Sequence, residues 1–143
     1  VLHGNVLSER NLLQAIRNRE ITSNDALLVY YCGHGAFYGD QHALDLPSGD
    51  RLRRSELLDT MKQKGARLNV LLTDSCANEQ EGALAKAAGP PDMSPPYLAR
   101  NVCRYLFFRS QGVVDINSAS RGETPLINRG MATFSSALNS VNR

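Results

Sequence analysis

The sequence predicts an α/β fold, a three-layer αβα sandwich around a mainly parallel sheet. Two observations support this prediction. Apolar runs of strand length alternate along the chain with segments of helical spacing, and these runs lack the apolar and polar alternation of a half-exposed strand. A chain of 143 residues, 42% of them hydrophobic and 21% charged, has the size and composition of one globular domain.

The helices are predicted from apolar spacing and from residues that begin or end helices. Leu12, Leu13 and Ile16 lie at helical spacing behind Ser8, which is a favoured N-cap. The same spacing recurs in three later segments, and the first of these ends at a glycine, Gly65. The predicted helices are 8–18, 53–65, 97–112 and 130–141.

Strands are predicted where apolar runs end in small or polar residues. The run 25–32 is continuously apolar, which favours a central position in a parallel sheet covered on both faces. Residues 77–96 lose all periodicity and collect Gly, Ala and Pro, so a mobile surface loop is expected there. The predicted strands are 25–32, 41–46, 68–72 and 112–120, the last with a small, polar tail.

The net charge and the cysteine content of the chain limit the classes of function that are expected. The formal net charge is only +2 and the basic residues are scattered, so neither nucleic acid nor a membrane surface is expected as a partner. No apolar stretch approaches the roughly 20 residues of a membrane span, and no signal-peptide pattern opens the chain. Three cysteines, Cys32, Cys76 and Cys103, are too few for a disulfide framework, so free thiols in the reducing cytoplasm are expected.

The start of the chain suggests a larger parent. It opens at Val1 without an initiator Met, so we expect an excised or processed portion whose partners include other domains of a longer protein. No metal-spaced cluster of Cys and His occurs, and no cofactor is predicted.

Three predicted strands end in residues that can carry chemistry. His34 follows the first strand, Cys76 follows the strand 68–72, and the tail 117–120 follows the last strand. Ligands of open α/β folds bind outside the carboxyl ends of the strands. The three ends are therefore expected to meet at one place.

A cysteine and a histidine at such a place can form a catalytic dyad. An imidazole can take the proton of a thiol and later protonate a leaving amine. The backbone amides of Gly35 and Cys76 could stabilise an oxyanion, because a glycine leaves its N–H accessible. The residues alone leave a plainer interpretation open, in which Cys76 is a small buried hydrophobe and His34 is structural.

Two stretches carry a family resemblance. "YYCGHGA" at 30–36 and "VLLTDSCA" at 70–77 resemble the two signatures of the caspase-like cysteine peptidases, closest to the metacaspase and bacterial branch. Residues 112–120 and 130–138 resemble the small-subunit strand and the Gly-x-Phe-Thr-x-Ala-Leu segment of that group.

The resemblance implies a caspase-like (caspase-hemoglobinase) fold over residues 1–143, without the family's first strand and helix. Its parts would be a large-subunit-like region, an intersubunit-type loop and a small-subunit-like region, at 1–76, 77–96 and 97–143. Lys86 and Arg100 become candidate autoprocessing sites, although a merely flexible loop explains the segment 77–96 equally well.

The implied activity is that of a cysteine endopeptidase acting on peptides or proteins through a thioester acyl-enzyme. His34 would be the general acid and base, Cys76 the nucleophile, and Asp74 the S1 acid that favours Arg or Lys at P1. Cys32 would form part of the S1 wall. The residues Ser118, Ala119 and Ser120 would pair with an extended substrate. A capping or solvated carboxylate is the alternative interpretation of Asp74.

Several positions depart from the family pattern. Ala77 and Asn78 replace the usual His, Ser and Gly after the nucleophile, and Arg54 and Ser55 stand where metacaspases supply a second S1 acid and calcium ligands. Calcium activation is therefore not expected. Two other functions stay open: a catalytically inactive caspase-like binding or signalling module, and a thiol acyl transfer without proteolysis.

Overall fold

A computed structural model of the chain describes residues 2–76, 105, 107–122, 127–128 and 131–132. Within these residues, a short 3-10 turn at Gly4–Val6 is followed by two α-helices and eight strands whose bounds are defined. They are α1 (Glu9–Arg17), β1 (Ala26–Cys32), β2 (His34–Tyr38), β3 (Gln41–Asp45), β4 (Arg51–Arg53), α2 (Arg54–Lys62), β5 (Leu68–Asp74), β6 (Gly112–Asn117), β7 (Ile127–Asn128) and β8 (Met131–Ala132). The protein is thus a mixed α/β structure.

A parallel sheet with the strand order β1-β5-β6 forms the centre of the described region. Leu28, Val70 and Val114 lie side by side across its three strands. The prediction that the first strand is central is wrong within the described residues, because β1 lies at the edge of this sheet. Leu28 and Tyr30 are 48% and 46% exposed. A continuously apolar run therefore does not by itself indicate burial on both faces.

A second, antiparallel sheet with the order β2-β3-β4 follows β1 directly. The two-residue loop Gly39–Asp40 joins β2 to β3, and Gly39 adopts a φ of 63°, which favours glycine in such hairpins. Of this sheet, the sequence predicted only the arm at 41–46. The predicted helix 53–65 included Arg53, which is the last residue of β4, and the observed helix begins at Arg54.

Both helices pack on one face of the parallel sheet. Ser8 caps α1, since its Oγ accepts from the Asn11 amide at 3.2 Å. Gly65, at a φ of 71°, follows the end of α2 as predicted. The buried apolar residues of the helices and of the two sheets form one cluster, which comprises Leu13, Ile16, Tyr31, Leu44, Leu46, Leu52, Leu57, Met61 and Leu71.

The remaining predictions have mixed outcomes. The strands predicted at 68–72 and 112–120 are confirmed as β5 and β6, and residues 107–109 are helical. Met131–Ala132 pair with Ile127–Asn128 as a strand, so the predicted helix at 130–141 does not include these two residues. Other expectations lie outside the described residues: the loop 77–96, Lys86, Arg100, Cys103 and the rest of the last helix. Among the described helices, none is long and apolar enough to span a membrane.

Candidate active site

The ends of β1 and β5 place two predicted site residues side by side. Cys32 and Asp74 form the last register pair of these parallel strands, so their side chains share one face at a strand spacing of about 4.8 Å. The Gly33 amide donates to the Asp74 carbonyl at 3.2 Å and extends the pairing by one residue. Cys32 is exposed, whereas Asp74 is only 3% exposed.

The chain passes from the parallel to the antiparallel sheet at Gly33. A β-carbon there would lie 2.5 Å from the Tyr31 hydroxyl oxygen and 2.8 Å from its Cζ. This hydroxyl is shared between the carbonyls of His34 and Asp45, both at 2.9 Å, and burial raises the pKa of Tyr31, which keeps the donor protonated. The packing of Tyr31 therefore requires glycine at this position. His34 is the first residue of β2 rather than the tail of β1.

Gly35 lies directly against the backbone that carries Cys76. A β-carbon on Gly35 would be 2.9 Å from the Ala43 carbonyl oxygen, and 3.1 Å from both the Cys76 carbonyl oxygen and the Ser75 Cβ. Only a glycine permits this approach without displacement of backbone. The contact brings the His34–Gly35 segment and the Ser75–Cys76 segment together, as the sequence predicted for the two strand ends.

Strand alternation determines which residues of the antiparallel sheet face Cys76. Gly35 and His42 belong to the same face, because Phe37, two residues after Gly35, is the register partner of His42. The His42 Nε2 lies 2.9 Å from the Cys76 carbonyl oxygen. By the same alternation the His34 side chain starts on the other face of this sheet.

Both thiols near Asp74 are less acidic than an ordinary cysteine. Burial is the largest cause of the raised pKa of Cys32, and the Asp74 charge adds to it. Burial also raises the pKa of Cys76; a backbone hydrogen bond at that residue acts in the opposite direction, and Asp74 again raises it. At neutral pH the Cys76 thiol is therefore protonated and needs a base in order to act as a nucleophile.

The side chain of Asn117, at the end of β6, forms hydrogen bonds that fix the position of the end of β5. Its Oδ1 accepts from the Thr73 hydroxyl at 2.7 Å and from the Ser75 hydroxyl at 3.0 Å. Its Nδ2 donates to the Ser75 carbonyl at 3.3 Å and to the Ala119 carbonyl at 2.8 Å. Two of these four hydrogen bonds hold Ser75, the residue that precedes Cys76.

The predicted substrate-binding tail is partly engaged by the protein itself. The Ser118 amide donates to the Thr73 carbonyl at 2.9 Å, and the Ser118 hydroxyl donates to the Ser75 carbonyl at 3.4 Å. The Ala119 carbonyl accepts from Asn117, as described above, and Ser120 is exposed. A substrate strand would therefore pair with other backbone groups of this tail.

Sequence reasoning missed His42 and predicted Asn117 only as part of the tail 117–120, without a role of its own. Asn117 gave a weak signal, since it opens the polar tail of an apolar strand. His42 gave none, because it lies on a short arm that was predicted without a partner strand. Its contact with Cys76 depends on β2, a strand that the sequence pattern did not reveal.

The start of α2 differs from an acidic S1 or calcium site. Arg54 forms an ion pair with Asp115 of β6, and its side chain is 14% exposed. Within the part of the chain that the structure describes, no group of three or more His, Cys, Asp or Glu residues is placed to hold a metal ion.

The comparisons with known proteins add no relative. No protein-family model matches the chain, and a search of curated proteins found no significant match. The function is therefore inferred from the residues of the site: the buried carboxylate of Asp74, two thiols, and Gly35 and His42 packed against the backbone of Cys76.

Proposed function

We propose that this chain is a cysteine endopeptidase of caspase-like fold, with Cys76 as the nucleophile and His34 as the general acid and base. The observation that carries the proposal is the approach of Gly35 to the Cys76 carbonyl, within 3.1 Å for an added β-carbon. This contact requires glycine at position 35, the residue after His34, and lies against the backbone of Cys76, just past the end of a parallel strand. A packed core alone has no need for that combination.

The proposed reaction begins with transfer of the Cys76 thiol proton to His34. The thiolate attacks the scissile carbonyl carbon, and the amides of Gly35 and Cys76 donate to the oxyanion. The tetrahedral intermediate collapses as His34 protonates the leaving amine, which leaves a thioester on Cys76. Water, deprotonated by His34, then hydrolyses the thioester and regenerates the thiol. Because burial raises the pKa of Cys76, the thiol depends on His34 to remove its proton.

Asp74 supports a preference for Arg or Lys at P1. Its carboxylate is buried beside Cys32, and its charge acts on both Cys32 and Cys76. A basic P1 side chain placed between the thiols would gain a charge-assisted hydrogen bond from it. The tail Ser118–Ser120 would flank the same substrate as an added strand.

A catalytically inactive caspase-like module is the second candidate function. Two observations favour it: strand alternation starts the His34 side chain on the face away from Cys76, and burial raises the pKa of the thiol. Such a module would bind a peptide or protein partner without turnover. We also propose a reducing compartment such as the cytoplasm for either function, since Cys32 and Cys76 are free thiols.

The deciding experiment is a panel of fluorogenic peptide amides with Arg, Lys or Asp at P1, assayed with and without calcium. We expect cleavage after Arg and Lys, no dependence on calcium, and no cleavage by the His34→Ala variant. Cleavage after Asp alone would contradict the Asp74 pocket and leave the dyad standing. Binding of the same peptides without cleavage, measured by fluorescence anisotropy, would favour the inactive module.

A further inference from the structure

Both peptide units that flank Cys76 are held by side chains from other strands. The carbonyl of the Ser75–Cys76 unit accepts from Asn117 Nδ2 at 3.3 Å and from the Ser118 hydroxyl at 3.4 Å. The carbonyl on the C-terminal side of Cys76 lies 2.9 Å from His42 Nε2. A carbonyl oxygen only accepts hydrogen bonds, so this contact requires the His42 tautomer that carries its proton on Nε2.

These contacts fix more than two oxygens, because a trans peptide unit is planar and its N–H points opposite to its C=O. Holding the Ser75 carbonyl sets the direction of the Cys76 N–H, which is one of the two proposed oxyanion donors. Holding the Cys76 carbonyl sets the orientation of the next peptide unit. Together the contacts restrain both backbone dihedrals of Cys76 and hence the starting direction of its side chain.

His42 is itself supported by stacking. Its ring lies 5.0 Å from that of Phe37 at an interplanar angle of 8°, as a cross-strand pair. The Arg121 guanidinium lies 5.0 Å from the centre of the Phe37 ring and forms an ion pair with Asp40 at 3.1 Å in the hairpin loop. A residue just after the predicted substrate-binding tail therefore steadies the hairpin that presents His42.

We propose that His42 and Asn117 are positioning residues that hold the two peptide units around Cys76, so that its thiol and its amide are both aimed at the substrate carbonyl. The catalytic part of this inference rests on the proposed peptidase function. Neither residue touches the reacting atoms. The loss of either contact should lower kcat and leave KM nearly unchanged, because the oxyanion contact is made in the transition state.

Two substitutions at His42 separate its hydrogen bond from its stacking. His42→Phe keeps an aromatic ring against Phe37 and removes the donor, whereas His42→Gln removes the ring and keeps an N–H near the position of Nε2. We expect kcat for an Arg peptide amide to fall roughly 10- to 100-fold in His42→Phe and less than about fivefold in His42→Gln. Full activity of His42→Phe, or an equal loss in both variants, would overturn the role of the hydrogen bond.

Asn117→Asp tests the other contact with a side chain of nearly the same shape. The two acceptor contacts to Thr73 and Ser75 can persist, while the donor to the Ser75 carbonyl is lost. We expect kcat to fall by about 10- to 100-fold with KM within about twofold of wild type. A rise in KM with kcat unchanged would contradict the proposal that Asn117 orients the Cys76 amide toward the substrate carbonyl.

A readout without turnover separates this inference from the peptidase proposal. The imidazole ¹⁵N shifts of His42 in the full chain should report the Nε2–H tautomer, with a through-bond coupling or slowed exchange of that proton consistent with a bond to a carbonyl. The opposite tautomer would overturn the inference whether or not the protein cleaves peptides. The expected tautomer in a protein that cleaves nothing would support the contact and refute the peptidase proposal alone.

Discussion

The two thiols at the ends of neighbouring strands differ in how the chain around them is held. Cys32 ends β1, the edge strand of the described parallel sheet, and its side chain is exposed. Cys76 follows β5, the central strand of that sheet, and is partly buried. Burial is the largest cause of the raised pKa of each thiol, and the Asp74 charge raises both further. The direction of the pKa shift therefore does not distinguish the two cysteines.

The two cysteines differ in whether side chains from other strands hold the neighbouring backbone carbonyls. Side chains from β3 and β6 hold the carbonyls on both sides of Cys76, whereas Gly33, just after Cys32, is set by the packing of Tyr31. A nucleophile gains rate from a fixed orientation as well as from a low pKa. The comparison teaches that the proposal of Cys76 as the nucleophile is supported by the hydrogen bonds that hold its backbone, rather than by an activated thiol.

The largest expected effect comes from removing the thiols one at a time. We expect Cys76→Ala to abolish both peptide cleavage and covalent labelling by an electrophilic Arg-peptide ketone, because it removes the proposed nucleophile. Cys32→Ala should retain most of both, since its thiol is outside the held segment. Mass spectrometry of the labelled protein identifies the modified residue.

Cys103→Ala, on a segment outside the described residues, serves as the matched control for loss of a cysteine. Label found on Cys32 in the wild-type protein would reverse the assignment of the nucleophile. Label on Cys76 that persists in His34→Ala would retain the nucleophile and remove His34 from the dyad.

Asp74→Asn should have the next largest effect, on two separable quantities. Cleavage after Arg should fall by roughly 10- to 100-fold, which corresponds to the loss of a charged hydrogen bond of about 1.5–3 kcal/mol. Removing the charge should also lower the pKa of both thiols, because Asp74 raises each of them. The pH dependence of iodoacetamide alkylation measures this second effect at Cys32 and Cys76 separately.

A pair of peptides that differ only at P1, with neutral Gln in one and Arg in the other, tests the effect on cleavage. Cleavage after Gln should be changed less by Asp74→Asn than cleavage after Arg. Equal losses for both peptides would contradict a pocket acid and favour a purely structural carboxylate.

The local pattern of the sequence accounts for much of the fold. Ser8 as a cap, Gly65 as a stop and the apolar runs of β5 and β6 are short-range signals, and each of these elements was predicted close to its observed bounds. The antiparallel sheet was not predicted, apart from its middle arm. Its strands are short and combine apolar with charged residues, as in β4. They form because they pair with neighbouring strands, and the spacing of residues within one segment does not reveal that pairing.

The site was predictable where it depends on strand ends and not where it depends on cross-sheet contacts. Cys76, Asp74 and Gly35 follow from the rule that parallel strands present their carboxyl ends at one edge. His42 depends on the register of β2 with β3, and a shift of one residue would turn it to the other face. Such a register is a property of the folded sheet and leaves no mark in the spacing of residues.

Substitution of Gly33 or Gly35 by alanine should affect the two strand ends differently, because the added β-carbon meets different atoms at each position. A β-carbon at Gly35 meets backbone atoms of Ala43 and Cys76, whereas one at Gly33 meets only the ring of Tyr31 among its three nearest contacts. We expect each substitution to lower the free energy of unfolding by roughly 1–3 kcal/mol. Only Gly35→Ala should also displace Cys76 and reduce kcat in the protein that remains folded.

Double variants with Tyr31→Leu sharpen this contrast. The cost of Gly33→Ala should shrink in that background, because the ring it strikes is gone, and the cost of Gly35→Ala should not. Urea denaturation followed by circular dichroism measures both. Additive costs at Gly33 would show that something other than Tyr31 requires the glycine.

The smallest expected effect is the pH dependence of stability that arises from His42. Burial is the largest cause of its lowered pKa, and Arg54 acts in the same direction, while the contact with Cys76 and the carboxylates of Asp115 and Asp45 oppose it. The unfolded chain therefore binds this proton at higher pH than the folded chain does. Stability should fall as the pH drops below 6.5, the ordinary value for histidine, and the loss should level off below the folded-state pKa.

Neither His42→Gln nor His42→Phe can take up this proton, so both variants should flatten the stability curve between pH 7 and pH 5, by less than the loss expected from Gly35→Ala. Urea midpoints at several pH values measure the slope. A slope that stays unchanged in both variants would mean that His42 binds a proton equally well in the folded and unfolded chain. A flattened slope would instead show that protonation of His42 causes the loss of stability in acid. Because the His42 ring holds the Cys76 carbonyl, acid would then act on the backbone around Cys76 and leave the Cys32 end of the sheet unaffected.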